Sequence, residues 1–151
     1  MAPIIHYIEV SSFAKPGDAE KLKKIMADIL PEAVEITETL HGPEAEGGVF
    51  KEELVEYTAK IGKPADMAVF HEKILSGLDD YDRAKIMEDI GSFVDDECNF
   101  YLRLSKNEAA QGCIVLESKD CIHLRYKLAC YPAKRGNAVE AAEKIMSDGI
   151  R

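Results

Sequence analysis

Cations alternate with apolar residues in two segments of the C-terminal third, and aromatic rings accompany them. FYLRLS places Tyr101 and Arg103 two residues apart, and CIHLRYKL gives His123, Arg125 and Lys127 the same spacing. Successive side chains of a β-strand point to opposite faces, so each set shares one face. Arginine and lysine neutralise phosphates, and unstacked bases lie on aromatic rings or guanidinium planes. The spacing predicts a sheet face that can bind RNA.

Three further cations extend this pattern along the chain. The residues predicted to bind RNA are therefore Tyr101, Arg103, Lys106, His123, Arg125, Lys127, Lys134 and Arg135. A simpler alternative stays open, because exposed strand faces often carry cations that keep a protein in solution and pair with acids on neighbouring strands.

Two acidic clusters could bind magnesium, as a nuclease would require, since metal ions stabilise the attacking and leaving oxygens at a phosphodiester. These clusters are Asp79, Asp80 and Asp82, and Asp95, Asp96 and Glu97. Helix capping explains the first cluster and a polar connection explains the second. Phosphate-binding glycine loops and hydrolase or metalloprotease motifs do not occur. We therefore predict no enzyme activity, no catalytic residue, no bound metal and no cofactor, and keep a metal-dependent nuclease as the weaker alternative.

Composition places the chain among folded proteins. Its 151 residues are 46% hydrophobic and 31% charged, which suits one domain over residues 1–151. The apolar runs are too short for a membrane span, and the N-terminus does not resemble a signal peptide, so we expect a cytoplasmic protein. The four cysteines have neither C-x-x-C nor zinc-site spacing, which predicts reduced, partly buried thiols.

Charge is distributed unevenly along the sequence. Residues 1–97 carry 10 Lys and Arg against 22 Asp and Glu, whereas residues 98–151 carry 9 against 6, within a total net charge of -9. The acidic total argues against a nucleic-acid partner, because nucleic-acid binders commonly have a basic domain. The basic C-terminal third keeps RNA as a partner.

Hydrophobic periodicity predicts the elements that would position these side chains. Residues 49–61 fit either a strand through Val55, Tyr57, Ala59 and Ile61 or a helix, and we favour the strand. The predicted strands are 4–13, 33–41, 49–61, 98–105, 112–117 and 120–131, the last two joined by a tight turn. The predicted helices are 18–30, 65–78, 79–93 and 135–150, and residues 42–48 form a loop.

Strands joined mostly by hairpins, with helices gathered outside them, indicate an α+β two-layer sandwich with a mainly antiparallel sheet and helices on one face. The other sheet face stays open to solvent, a ligand or a second subunit. A homodimeric protein-protein adaptor that uses this open face is therefore an alternative to RNA binding. The apolar segment IIHYIEV would serve it as an edge strand that pairs with another edge.

The same C-terminal segment resembles an archaeal family of predicted RNA-binding proteins associated with the exosome. The shared pattern is an apolar strand ending Leu-Arg, a lysine, two small residues, a glycine, a second apolar run, an acid, alternating apolar and basic residues, Tyr-Pro and a basic pair. Its positions here are Tyr101, Leu102, Arg103, Lys106, Ala109, Ala110, Gly112, Leu116, Asp120, Ile122, Leu124, Arg125, Lys127, Tyr131, Pro132, Lys134 and Arg135. Weaker similarity includes the opening IHYI and the pair His41-Gly42, while Ser105 replaces the acid usual before the lysine.

This resemblance implies a fold similar to the ribosomal protein that holds 5S RNA, a dimer, and RNA as partner. We accordingly expect a non-enzymatic RNA-binding protein, an accessory to RNA processing by the archaeal exosome. The expected partners are structured or single-stranded RNA, exosome subunits and a second copy of the chain, with no membrane.

Overall fold

Five β-strands and five α-helices account for most of residues 4–43 and 50–150, the parts of the chain that the computed structural model describes. The strands are β1 (Ile5–Ala14), β2 (Thr37–His41), β3 (Leu54–Ile61), β4 (Asn99–Ser105) and β5 (Cys121–Leu128). The helices are α1 (Ala19–Ile29), α2 (Pro64–Gly77), α3 (Asp80–Glu88), α4 (Lys106–Ala109) and α5 (Arg135–Asp148). Short 3₁₀ turns span Pro16–Asp18 and Ile90–Phe93.

The strands form one open antiparallel sheet in the order β2-β3-β1-β5-β4. Alternate strand residues are buried beneath the helices, and the opposite sheet face carries the more exposed side chains. The predicted α+β architecture, with a mainly antiparallel sheet and helices on one face, is confirmed.

The core lies between the sheet and the helices. The largest fully buried side chains include Tyr57, Tyr126, Phe70, Phe100 and Ile8. The spacing of Leu22, Ile25, Met26 and Ile29 predicts that one face of α1 is buried, and all four side chains are buried. The segment with two possible periodicities is the strand β3, whose Val55, Tyr57, Ala59 and Ile61 are buried.

A hydrogen-bonded histidine joins three elements inside this core. His71 of α2 is 1% exposed, with Nδ1 2.8 Å from the Tyr126 hydroxyl and Nε2 2.8 Å from the Ile145 carbonyl oxygen. A carbonyl only accepts, so Nε2 carries the proton and Nδ1 accepts from Tyr126. Burial lowers the pKa of His71 below its ordinary value and raises that of Tyr126. Both groups are therefore held neutral, with their polar atoms satisfied.

The sequence predicts helix N-caps at Asp18 and at Asp79 or Asp80, and a helix that ends just before Gly77. Asp79 caps α3, because its Oδ1 accepts from the Asp82 amide at 2.8 Å. Asp18 precedes α1 without a side-chain cap hydrogen bond, since a 3₁₀ turn leads directly into the helix. Gly77 is the last residue of α2 rather than the residue beyond it. The spacing of Ile86, Met87, Ile90 and Phe93 predicts one buried stripe, but Met87 is 37% exposed.

The predicted strand over residues 112–117 is wrong. Ser105 Oγ accepts from the Glu108 amide at 3.1 Å and thereby starts α4, and Gly112 then adopts a positive φ of 81°. This geometry leaves a single bridge between Leu116 and Leu104 at the outer edge of β4. The strand β5 pairs with β4 and β1, so the predicted tight hairpin before it does not form.

Two other predictions concern sheet edges and the 42–48 loop. The strand β1 lies between β3 and β5, so it is central and cannot serve as the edge strand that the adaptor alternative assumed. Most of the predicted loop falls at residues 44–49, outside the described residues. Within the described ranges, no helix is long and apolar enough to cross a bilayer.

The sequence predicts reduced, partly buried cysteines, and two of the four are buried in the structure. All four thiols are free, and Cys98 and Cys121 are buried while Cys113 is exposed. Burial, followed by the nearby Cys98, raises the pKa of Cys130 to about 11. Burial also raises the pKa of Cys121. The thiols of Cys121 and Cys130 are therefore protonated at neutral pH.

We predict that His71 makes the fold acid-sensitive. The unfolded chain binds a proton at this site below pH 6.5, whereas folded His71 stays neutral to lower pH. The free energy of unfolding of the wild type should therefore decrease as the pH falls below 6.5. Between pH 7.5 and 5.5 this decrease should be smaller in His71→Gln, by on the order of 1 kcal/mol. Urea unfolding at both pH values measures this, and His6→Gln at an exposed position is the control. Parallel pH profiles for wild type and His71→Gln would contradict the assignment.

Candidate nucleic-acid interface

The pairing of β4 with β5 brings five of the predicted RNA-binding residues onto one surface. Tyr101 lies opposite Arg125, Arg103 lies opposite His123, and Lys127 lies opposite Asn99. The covered face of the same strands holds apolar residues such as Leu102 and Leu124. We call the surface formed by Tyr101, Arg103, His123, Arg125 and Lys127 the basic face.

Residues of β1 and β3 lie beside the basic face, and the sequence reasoning missed them. Glu9 lies opposite Arg125, and its Oε1 is 3.2 Å from an Arg125 guanidinium nitrogen. The Tyr7 ring has Lys60 Nζ 4.3 Å and the Arg125 guanidinium carbon 5.8 Å from its centre, as in cation-π contacts. The alternation of IHYIEVSSF put Tyr7 and Glu9 on one side, but only the strand order places them beside Arg125.

The two arginines of the basic face have different surroundings. Arg125 is about one-third exposed and pairs with Glu9, which is the arrangement that the solubility alternative expected. Arg103 is exposed, and its guanidinium makes no ion pair or hydrogen bond with another described residue. Arg103 is therefore the cation most available to a phosphate, while Arg125 is already partly neutralised.

Asp95, at the outer edge of β4, fixes Tyr101. The Tyr101 hydroxyl donates to Asp95 Oδ2 at 2.9 Å, and Asp95 also accepts from the Asn99 amide, the Asn99 side chain and the Glu97 amide. Burial opposes ionisation of Asp95, but these hydrogen bonds outweigh it and lower its pKa. Burial, then the bond to Asp95, raises the pKa of Tyr101. The ring is thus held in place, half-buried at the surface.

His123 contributes a neutral ring to this surface. Burial, followed by repulsion from Arg103 and Lys106, lowers its pKa. Its Nε2 lies 3.7 Å from the Cys121 sulfur. At neutral pH the imidazole can therefore stack or hydrogen-bond but adds no positive charge.

The remaining three predicted residues lie outside the two strands. Lys106 begins α4, where Nζ is 2.6 Å from Asp120 Oδ1 and also donates to the Phe13 carbonyl. Arg135 begins α5 and donates to the carbonyls of Val94 and Gly91, next to the exposed Lys134. Lys106 and Arg135 therefore hold chain segments together at opposite ends of β4.

Three of the six side chains in the two acidic clusters accept hydrogen bonds from the protein. Asp79 caps α3, and Asp82 Oδ2 accepts from the Leu116 amide at 3.1 Å. Asp95 receives the four hydrogen bonds described above. Among the described residues, no group of three or more potential ligands is arranged to hold a metal ion.

Double-mutant cycles should show that Glu9 interacts with Arg125 and not with Arg103. We expect Glu9→Gln and Arg125→Gln to be coupled by about 0.5 kcal/mol in the free energy of unfolding, as partly exposed ion pairs are. The matched cycle of Glu9→Gln with Arg103→Gln should show no coupling, because Arg103 is not paired with Glu9. Urea unfolding of the variants measures both values. Equal coupling in the two cycles would show that the ion pair is not selective for Arg125.

Similar proteins come from archaea. RNA-binding protein PAB1135 of Pyrococcus abyssi is 26% identical over 141 residues, which is 92% of each chain. The structure of Mth689, a DUF54 protein from Methanothermobacter thermautotrophicus, is 26% identical with a TM-score of 0.72, over 95% of this chain and 98% of that one. Protein AF2318 from Archaeglobus fulgidus shares the fold, with a TM-score of 0.81 at 20% identity over 93% of this chain and 99% of that one.

A family model described as RNA binding matches residues 7–128, from the β1 residue Tyr7 to the end of β5. This range includes every residue of the basic face and most of the chain. The chain therefore belongs to this RNA-binding family.

Proposed function

We propose that this protein is a non-enzymatic RNA-binding protein and that the basic face contacts the RNA. One observation carries the proposal: exposed Arg103, unpaired among the described residues, lies beside the fixed ring of Tyr101 on a sheet face that also bears Lys127. Membership of a family described as RNA binding supports it.

The side chains suit two kinds of contact with RNA. Arg103 can bind a phosphate through two parallel hydrogen bonds, and Lys127 can neutralise a second one. Tyr101 and neutral His123 offer rings on which unpaired bases can stack. Lys106, Arg125 and Arg135 contribute charge around these contacts while they keep their internal partners. Lys127 likewise donates to the Glu97 carbonyl at 2.5 Å, and exposed Lys134 adds a further cation. We therefore expect the RNA to be single-stranded or to carry an unpaired loop.

The acidic remainder of the chain has a defined role in this proposal. Residues 1–97 hold 22 of the 28 acidic residues, and seven of these lie in α1, α2 and α3. The net negative charge of residues 1–97 repels phosphates, which leaves the basic face as the favourable approach. Because the surrounding field is negative, we expect binding to be moderate and confined to this face.

The family resemblance leads to finer proposals. We propose that the chain acts as one RNA-binding domain over residues 1–151, as an accessory of archaeal exosome RNA processing, with a fold similar to the 5S-RNA-binding ribosomal protein. We also propose a homodimer. Leu40 supports it, because this residue is 68% exposed on β2 at the edge of the sheet. An adaptor that used this edge would leave the basic face free for RNA.

Binding to RNA should depend strongly on salt and on Arg103. We expect Arg103→Gln to weaken binding about ten-fold, as the loss of a charge-assisted hydrogen bond would. The slope of log K against log salt should shrink by about 0.7 for a lost single-strand phosphate contact. Lys23→Gln, at an exposed position on α1, is the control and should leave both values nearly unchanged.

Fluorescence anisotropy with a single-stranded RNA and with a looped hairpin RNA measures these values over a salt series. Thermal unfolding of Arg103→Gln checks that its fold is intact, and light scattering of the same samples reports whether a homodimer forms. Salt-independent binding, or no binding to either RNA, would overturn the proposed function.

A further inference from the structure

A cleft of about 450 Å³ opens beside the outer edge of β4, next to the basic face. Phe93 of the second 3₁₀ turn and Tyr101 of β4 supply aromatic walls, while Arg103 and Lys85 of α3 supply cations. Glu117 lines it from the segment after α4. Small-molecule sites commonly occupy clefts of about 300–1,000 Å³ with apolar walls and a few convergent polar groups.

The outer edge of β4 adds free backbone groups to this cleft. In an antiparallel ladder, residues that hydrogen-bond the neighbouring strand alternate with residues that do not. The Leu128 amide donates to the Cys98 carbonyl, so the even-numbered residues of β4 bond β5. Tyr101 and Arg103 therefore direct their backbone groups away from β5. Bridges cover this edge on either side, between Val94 and Phe100 and between Leu104 and Leu116. Between the bridges, the Tyr101 carbonyl and the Arg103 amide have no hydrogen-bond partner among the described residues.

These groups together match the chemistry of an unpaired nucleotide. A base has two flat faces that stack on rings and an edge that carries both hydrogen-bond donors and acceptors. The Arg103 amide donates and the Tyr101 carbonyl accepts at the exposed edge of β4. The Glu117 carboxylate is a second acceptor, and its Oε1 is oriented by a 2.9 Å hydrogen bond from the Ser118 amide. The Lys85 and Arg103 side chains can hold the adjoining phosphates.

We propose that this cleft receives one unpaired ribonucleotide of the bound RNA, with the base beside Phe93 and Tyr101 and its phosphate at Arg103 and Lys85. The inference rests on the proposed function and deepens it, because it identifies the RNA as one with a base that can leave its helix. The Tyr101 ring is already held by Asp95, so stacking on it costs little side-chain entropy. An extruded base therefore meets a surface arranged before binding.

The test compares a hairpin RNA that carries one bulged adenosine with the same hairpin carrying an abasic residue at the bulge. Both RNAs have the same phosphates, so a difference in affinity reports the base. We expect wild type to bind the abasic RNA roughly ten-fold more weakly, as the loss of one stacked base would produce, with the same salt slope. Anisotropy titrations measure both quantities.

Two substitutions locate the effect. Phe93→Leu removes the ring but keeps an apolar side chain, and it should abolish the preference for the bulged adenosine while salt-sensitive binding persists. Tyr131→Leu removes a ring that is 99% exposed and does not line the cleft, and it should leave the preference intact. Thermal unfolding of Phe93→Leu reports its fold, and the abasic comparison in wild type decides the question even if that variant is unstable.

The outcomes separate the two proposals. Salt-sensitive binding with equal affinity for the bulged and abasic RNAs would overturn the cleft inference and leave the proposed function standing. A preference that survives in well-folded Phe93→Leu would also overturn it, because the base would then be read elsewhere. No binding to either RNA would overturn both proposals.

Discussion

The register between β4 and β5 is the constraint on which the candidate interface depends. The strand β5 lies between β1 and β4, and its Ile122, Leu124, Tyr126 and Leu128 are buried beneath the helices. The hydrogen bond from Tyr126 to buried His71 ties this face to α2. A slip by one residue would expose the whole apolar set, so the pairing has one favourable register. That register necessarily directs His123, Arg125 and Lys127 to the open face, opposite Arg103, Tyr101 and Asn99.

The same pairing gives chemically similar residues different surroundings. Arg125 faces the β1 residue Glu9 across the ladder, whereas Arg103 lies nearer the outer strand edge and has no acidic partner among the described residues. Tyr7 and Tyr101 are likewise distinct, because Lys60 lies over the first ring and Asp95 holds the hydroxyl of the second. Internal partners therefore reduce the charge over the middle of the sheet and leave the most available cation at the β4 edge, where the cleft opens.

Local pattern was sufficient for much of the fold. Period-two alternation identified β1, β3, β4 and β5, and helical spacing identified α1 and α5, because each element buries one face of its own sequence. It also placed the five basic-face residues on one side of their strands. The strand predicted over residues 112–117 from the same alternation does not form, because Ser105 starts a short helix and Gly112 turns the chain. The S-x-x-E signal at Ser105 and Glu108 was present in the sequence and was overlooked.

Other features depend on long-range order that periodicity does not contain. The central position of β1 decides that Glu9 meets Arg125, and nothing in either segment specifies this neighbour. The cleft combines Lys85, Phe93, Arg103 and Glu117 from separate elements, so only the folded chain brings them together. Family membership points to RNA, but the arrangement of these side chains is what points to particular contacts.

Backbone amide NMR during titration with the looped RNA shows, without any substitution, which surface of the protein the RNA touches. If the basic face binds the RNA, the largest chemical-shift changes will lie in β4 and β5 and include Tyr101, Arg103, His123 and Lys127, while α1 will be nearly unaffected. Changes concentrated on α1 and α2, with β4 and β5 unchanged, would contradict RNA binding by the basic face.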